Sequence, residues 1–389
     1  MAKDSILSES INILSSLVNI NTSSYNYKGI SLCADYLCSL FATLNCEITH
    51  NFCKKDNSKL IAVTFTKNTK APIQCLLSIH MDTVFEPTDN FLNYNQTSHT
   101  KATGPGVIDA KGGIVIAYNV LKWLDASEHS EQLGWTFIIS TDEEIGSKDS
   151  QDLLTQASKN KDFALVFEPA LENGNIVSSR PASANLKLTC VGKAAHAGRQ
   201  FHIGINAITA LTSFLESLKL NYYKEGVHII NIGKISGGTR ENIVPDECMC
   251  ELNVRFSQDK SLTKFCNLLQ NKINHYNDLN DARIVLDIQS IRPAKPLNER
   301  SKSLYKLLNK AINKCNLNIQ TEPSFGVCDG NFIAATGIPV IDTLGPCGTG
   351  MHTKNETIHL ESLNERTSLT CELISLYLQE AQVQKNSNV

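Results

Sequence analysis

IQCLLSIHMDTV, residues 73–84, decides the fold. The mostly apolar run Ile73–Ile79 has the length and composition of a buried strand, and it leads directly into His80 and Asp82. Polar chemistry at the end of a buried strand is the usual site geometry of α/β sheets. The neighbouring segments repeat the arrangement. Leu60–Thr66 reads as a strand, Gly112–Leu124 as a helix, Trp135–Ser140 as a strand ending in TDEEIGS, and Phe163–Phe167 as a strand ending in Glu168. Three acidic or histidine clusters are therefore expected at three strand ends.

Past Pro181 the rhythm changes. A strand (Leu186–Val191), a helix (Ile203–Leu218), two strands (Val227–Ile235, Glu247–Phe256), a helix (Leu262–Tyr276) and a strand (Ile284–Ile291) follow in βαββαβ order, which predicts a self-contained α+β insert with an antiparallel sheet. The α/β pattern resumes beyond Arg292 with a helix Ser301–Lys314, a glycine-flanked segment Gly326–Gly330 followed by a helix to Ala335, and a strand Pro339–Leu344. The expected organisation is one α/β domain made of residues 1–180 and 293–389, interrupted by an inserted domain of residues 181–292.

Composition narrows the function classes. With 389 residues the chain can bury a large core, and a formal charge of -3 supplies no basic surface for nucleic acid. The first residues, MAKDSILSESINILSSLVNI, mix acids with apolar residues and read as an amphipathic helix, not an export signal. No apolar run is long enough to span a bilayer, so a cytoplasmic protein is expected. The 13 cysteines are odd in number and scattered, which argues against a disulfide scaffold and for reduced core residues. Cys248 and Cys250 share a strand face, where packing outweighs a metal clip.

His80 and Asp82, two apart on an extended strand end, point the same way, so the carboxylate can receive one imidazole N–H and leave the other nitrogen as a metal ligand. Taken alone, such a pair is usually structural. Asp109, in GPGVIDAKGG, sits between a glycine turn and paired glycines that open a helix, where it could bridge two cations or merely cap the helix. Glu143 and Glu144 are adjacent acids after a buried strand, and their repulsion calls for a metal or a proton unless the loop is solvated. Glu168 is delivered to a strand end by FALVF, and His352 lies in the glycine turn GTGMHT after the apolar IPVIDTL.

Together SIHMDTV, GPGVIDAKGG, TDEEIGS, FEPA, GKAAHAG, NIVP, IRPA and the block from SFGVCDGNF to GTGMHT resemble the M20 metallopeptidase family, most closely its carboxypeptidase G2-like (glutamate carboxypeptidase) branch. The ordered set covers nearly the whole chain. The resemblance implies that His80, Asp109 and Glu168 hold one divalent metal ion and Asp109, Glu144 and His352 a second, with Asp109 as the bridge. Zinc is the first choice and cobalt or manganese are alternatives. It further implies Glu143 as general base, Asp82 as the acid that orients His80, and a lid and dimerisation role for the insert in a homodimer. There His196 would reach the partner's site, while Asn242 and Arg292 would grip the carbonyl and carboxylate ends of a small peptide or N-acyl amino acid. The implied activity is hydrolysis of an amide next to a free-carboxylate amino acid, carboxypeptidase-like and able to release C-terminal glutamate. The alternatives are deacylation of an N-acyl amino acid such as acetylornithine or succinyl-diaminopimelate, cleavage of di- or tripeptides, and, in a different class, a catalytically dead binding protein on the same fold. Two departures from the family pattern are Ala110, where a second aspartate is frequent, and Val327–Cys328, where a glycine and a hydroxyl residue are frequent. Neither falls on an implied ligand.

Overall fold

The computed structural model describes residues 3–387. Contacts divide the chain into two compact units. One comprises the residues up to Ser179, Leu297–Ser324 and those from Cys328 on, and the other comprises Arg180–Pro296 with Phe325–Val327.

The first unit is built on a six-stranded sheet in the order Glu47–Cys53, Asp56–Lys67, Leu133–Ser140, Ile73–His80, Phe163–Val166, Val340–Ile341. The first three strands pair antiparallel, whereas Leu133–Ser140, Ile73–His80, Phe163–Val166 and Val340–Ile341 run parallel to one another, so the sheet is mixed. Alternate side chains of Ile73–His80 enter opposite layers. Cys75, Leu77 and Ile79 join a core shared with the helices Lys3–Val18, Tyr27–Phe41, Lys111–Ala126, Glu299–Lys314 and Glu361–Ser387, while Leu76 joins Leu154 and Ile333 on the other face. Helices thus cover both faces, as a parallel core requires. The strands Ile73–His80 and Leu133–Ser140 are in register so that His80 lies opposite Ser140, which brings the two polar strand ends together.

The second unit is a five-stranded antiparallel sheet in the order Tyr223–Lys224, His228–Gly237, Glu247–Phe256, Ala182–Val191, Arg283–Arg292. Its helices are Ala207–Ser217 and Asp259–Leu279, so the βαββαβ order is present. Leu262, Phe265, Cys266, Leu269 and Ile273 recur at helical spacing and are buried in its own core. Cys248 and Cys250 are buried in that core as well, and all thirteen cysteines are free thiols. Arg180 and Lys295, near the two ends of this unit, exchange backbone hydrogen bonds of 2.9 and 3.0 Å.

Several elements differ from expectation. The helix expected from Ile203 begins at Ala207, because Asn206 caps it by accepting the Thr209 N–H at 3.0 Å. The strand expected over Pro339–Leu344 pairs only at Val340–Ile341, since Thr343 turns away with φ of 60°. The helices Tyr27–Phe41, Gln151–Ser158 and Glu361–Ser387 and the edge strand Glu47–Cys53 were not anticipated. Among the described residues no helix is long and apolar enough to cross a membrane.

Candidate metal centre

His80 ends its strand fully buried. Its Nδ1 lies 2.9 Å from the Asp82 carbonyl and 3.3 Å from Asp82 Oδ1, so Nδ1–H donates to Asp82 and Nε2 is the nitrogen that could meet a metal ion. That Nε2 faces Asp109 Oδ1 at 3.1 Å and Glu168 Oε2 at 3.8 Å. The other Asp109 oxygen, Oδ2, lies 3.1 Å from His352 Nε2, which is 3.3 Å from Glu144 Oε2. Asp109 therefore turns one oxygen to each histidine. One donor atom from each of His80, Asp109 and Glu144 lies within 4.8 Å of the others.

Local sequence explains how each group arrives. The helix Lys111–Ala126 starts after Ala110 and has no side-chain cap, so Asp109 is not spent on capping. A side chain on Gly113 would approach the Phe167 carbonyl to 2.2 Å. The paired glycines thus let this helix pack against the segment that presents Glu168. Glu143 and Glu144 occupy a single 3₁₀ turn, Glu143–Ile145, closed by Gly146 at φ of 97°. The Glu144 side chain is 6% exposed, and the charge of Glu143 acts on both Glu144 and Glu168.

Asp82 is fully buried and does more than touch His80. Its carboxylate accepts the Ser24 hydroxyl at 2.7 Å and the backbone N–H groups of Glu143 and Glu144 at 3.1 and 3.2 Å. It therefore holds the imidazole and the acidic turn in one frame. Ser24 was not singled out in the sequence, and neither was Glu356, whose fully buried carboxylate accepts the N–H groups of Gly106, Ile108 and Asp109. The fully buried Lys111 donates to the Ile20 carbonyl at 2.8 Å, tying the same turn to the N-terminal loop.

The electrostatics follow from crowding acids around two imidazoles. Burial opposes charge on His80, yet Glu168, Asp109 and Asp82 raise it well above the ordinary histidine range. Asp109 and Glu144 push His352 up to about 10. Burial raises Glu144 to about 7 and lifts Glu168, whereas for Asp109 the two histidines outweigh burial and hold it far below the usual carboxylate range. Burial likewise pushes Glu356 up to about 7 against its backbone N–H bonds, and Lys111 down to about 8.

A cation fits this donor set. Glu144 Oε1 and Glu168 Oε1 are buried oxygens with no hydrogen-bond partner, an arrangement that is costly unless something positive meets them. Mixed imidazole and carboxylate donors suit zinc and its first-row neighbours.

The remaining expected groups lie in the second unit. The strand Ala195–His196 pairs with Ile243–Val244, and the Ala197 N–H donates to the Asn242 carbonyl at 3.0 Å, so His196 and Asn242 are neighbours. His196 Nδ1 accepts the N–H groups of Gly198 and Arg199 at 3.1 and 3.2 Å, which places the ring proton on the exposed Nε2. Arg292 is buried at the end of its strand, opposite Ser183. Arg255 pairs with the same Ser183 on the other side, and burial together with the charges of Arg292 and Arg180 lowers its basicity.

Comparison with known proteins bears on this centre. The model of a family described as peptidase family M20/M25/M40 matches residues 76–376. Carboxypeptidase G2 of Pseudomonas sp. (strain RS-16) is 27% identical over 378 residues, covering 94% of this chain and 88% of that protein. A succinyl-diaminopimelate desuccinylase of Coxiella burnetii is 26% identical over 295 residues, covering 71% of this chain and 75% of the relative. Among solved structures, a tripeptidase from Staphylococcus aureus superposes with a TM-score of 0.80 at 23% identity, covering 96% of this chain and 99% of that one.

Proposed function

From the premise that the chain belongs to peptidase family M20/M25/M40, we propose that it is a di-metal hydrolase cleaving the amide bond beside a free-carboxylate amino acid, as a carboxypeptidase does. That it is an enzyme of the metallopeptidase or amidohydrolase type follows from the family. The observation that carries the finer reading is Asp109, with one carboxylate oxygen turned to His80 and the other to His352.

In this reading His80, Asp109 and Glu168 hold one ion and Asp109, Glu144 and His352 the other. Two divalent ions, zinc first and cobalt or manganese next, would supply polarisation of the amide carbonyl and acidification of the attacking water. Glu143 takes the water's proton and returns it to the leaving amine. Asp82 fixes the His80 ring, a role supported by its contacts with both the ring and the turn that carries Glu143. His196 donates its Nε2–H to the developing oxyanion, Asn242 binds the carbonyl end, and the Arg292 fork binds the substrate carboxylate.

A screen of peptides and N-acyl amino acids with added zinc tests this. Substrates ending in a free carboxylate, glutamate foremost, are expected to be cleaved, and esterifying that carboxylate should lower kcat/KM by about 100-fold through loss of the Arg292 fork. Equal turnover of the esters would sink the reading. Deacylation of N-acyl amino acids is the second reading, favoured by the desuccinylase match, and the same screen separates the two.

We further propose that the second unit serves as lid and dimerisation domain, with His196 acting on the partner's site in a homodimer. Support comes from the edge strand Arg283–Arg292, on which Val285, Ile288 and Ile291 are exposed at a sheet border that a second copy can cover. Mixing inactive His196→Ala with inactive Glu143→Ala protein should then restore activity on subunit exchange, because some sites regain both groups. Exchange without recovered turnover would overturn the trans role. A cytoplasmic location is part of the proposal, on the strength of thirteen unpaired thiols.

A further inference from the structure

His352 occupies a tight knot of chain with an uncommon backbone conformation. Its φ of 61° lies in the left-handed region, which disfavours a residue with a Cβ. The knot spans Gly350–Glu356. Thr353 closes on the Gly350 carbonyl through its N–H at 3.1 Å and its hydroxyl at 2.8 Å, and the Glu356 N–H closes on the Thr353 carbonyl at 3.1 Å. More than half of the His352 side chain is exposed, so packing contributes little to its placement.

Glu356 ends that knot and reaches across the sequence to the turn that carries Asp109. Its Oε2 accepts the Gly106 N–H at 2.9 Å, and its Oε1 accepts those of Ile108 at 2.8 Å and Asp109 at 3.0 Å. Three backbone donors of one buried turn thereby find their acceptor in a single side chain. The strand that follows, Thr357–His359, pairs with Lys101–Thr103 immediately before the same turn, so the two segments are joined by backbone and side chain together.

We propose that Glu356 is a positioning residue that sets the distance between His352 and Asp109, so that the metal held by Asp109, Glu144 and His352 depends on it far more than the metal held by His80, Asp109 and Glu168. The proposal rests on the two-metal reading above. The asymmetry arises from construction. His80 closes a central strand, Glu168 lies two residues past the end of another, and Asp109 is also held against His80, whereas His352 reaches the centre through the knot that Glu356 anchors. Glutamine at position 356 keeps the shape but turns an amide NH2 toward backbone N–H groups, so at least one of the three bonds is lost.

The test is a zinc titration of metal-free wild type and Glu356→Gln against a chromophoric chelator, with thermal unfolding of both metal-free proteins alongside. Wild type should take up two ions in resolvable steps. In the variant one step should lose at least tenfold in affinity while the other changes less than threefold, whatever the shift in metal-free stability. Unchanged steps, or equal weakening of both, would overturn the positioning role. Fewer than two ions on wild type would instead remove the two-metal reading, and this proposal with it. Should the glutamine variant not fold, Glu356→Asp, which keeps the charge and shortens the reach, is held to the same criterion.

Discussion

Alanine in place of Glu143 is expected to leave two metal equivalents bound while lowering kcat by about a thousandfold, within the range usual for a positioned general base. The argument is geometric. The backbone N–H of Glu143 donates to Asp82 Oδ1, and that tie to the frame of the site survives the substitution. The oxygens facing His80 Nε2 and His352 Nε2 belong to Asp109, Glu144 and Glu168, and these also remain. Metal analysis of purified variant and wild type, with kcat on the same substrate, checks it. Metal loss in proportion to activity would move Glu143 from the base to the ligand set.

Alanine at Asp109 should behave in the opposite way, losing both ions and with them about four or more orders of magnitude in activity, because one carboxylate serves both histidines. A second signature needs no substrate. In metal-free wild type His352 is pushed up to about 10, first by Asp109 and then by Glu144. A histidine raised on folding contributes stability that is fully present below its unfolded value near 6.5 and is lost as pH rises through its folded value. Metal-free wild type should therefore lose thermal stability between about pH 6.5 and 10, and the Asp109→Ala protein should lose less over that window. The exposure of His352 screens the effect, so the comparison is one of slopes. Two tightly held ions in this variant would end the bridging model.

Much of the fold was readable because its central strands announce themselves. Ile73–His80 and Leu133–Ser140 are apolar, short and end in charge, and those ends carry His80 and the Glu143–Glu144 turn. The edge strand Glu47–Cys53 was not readable, since most of its side chains are exposed and no alternation marks it. Tyr27–Phe41 carries its buried residues at helical spacing, at Ile30, Cys33, Ala34, Leu37 and Phe41, so its signal is present in the sequence. In the candidate centre the potential ligands could be named from their sequence settings. Ser24 and Glu356 could not, because they act on partners 58 and about 250 residues away and carry no local signature. A glutamate within KNET looks like any solvated acid until the chain is folded over it.

The backbone pairing of Arg180 with Lys295 bears on how the chain assembles. His80 and His352 must meet although a whole second unit is threaded between them, and for a flexible chain the entropy of ring closure grows with the length enclosed. Arg180–Pro296 has a core of its own and brings its two ends into hydrogen-bonding distance. Once it has folded, the first unit meets it as a hairpin-sized connection, and the search that unites Asp109 with His352 proceeds over a much shorter effective contour. Domains inserted in this way are tolerated where their termini lie close together. An insert that folded first would by this closeness shorten the closure that completes the centre, without contributing a residue to the sheet that carries it.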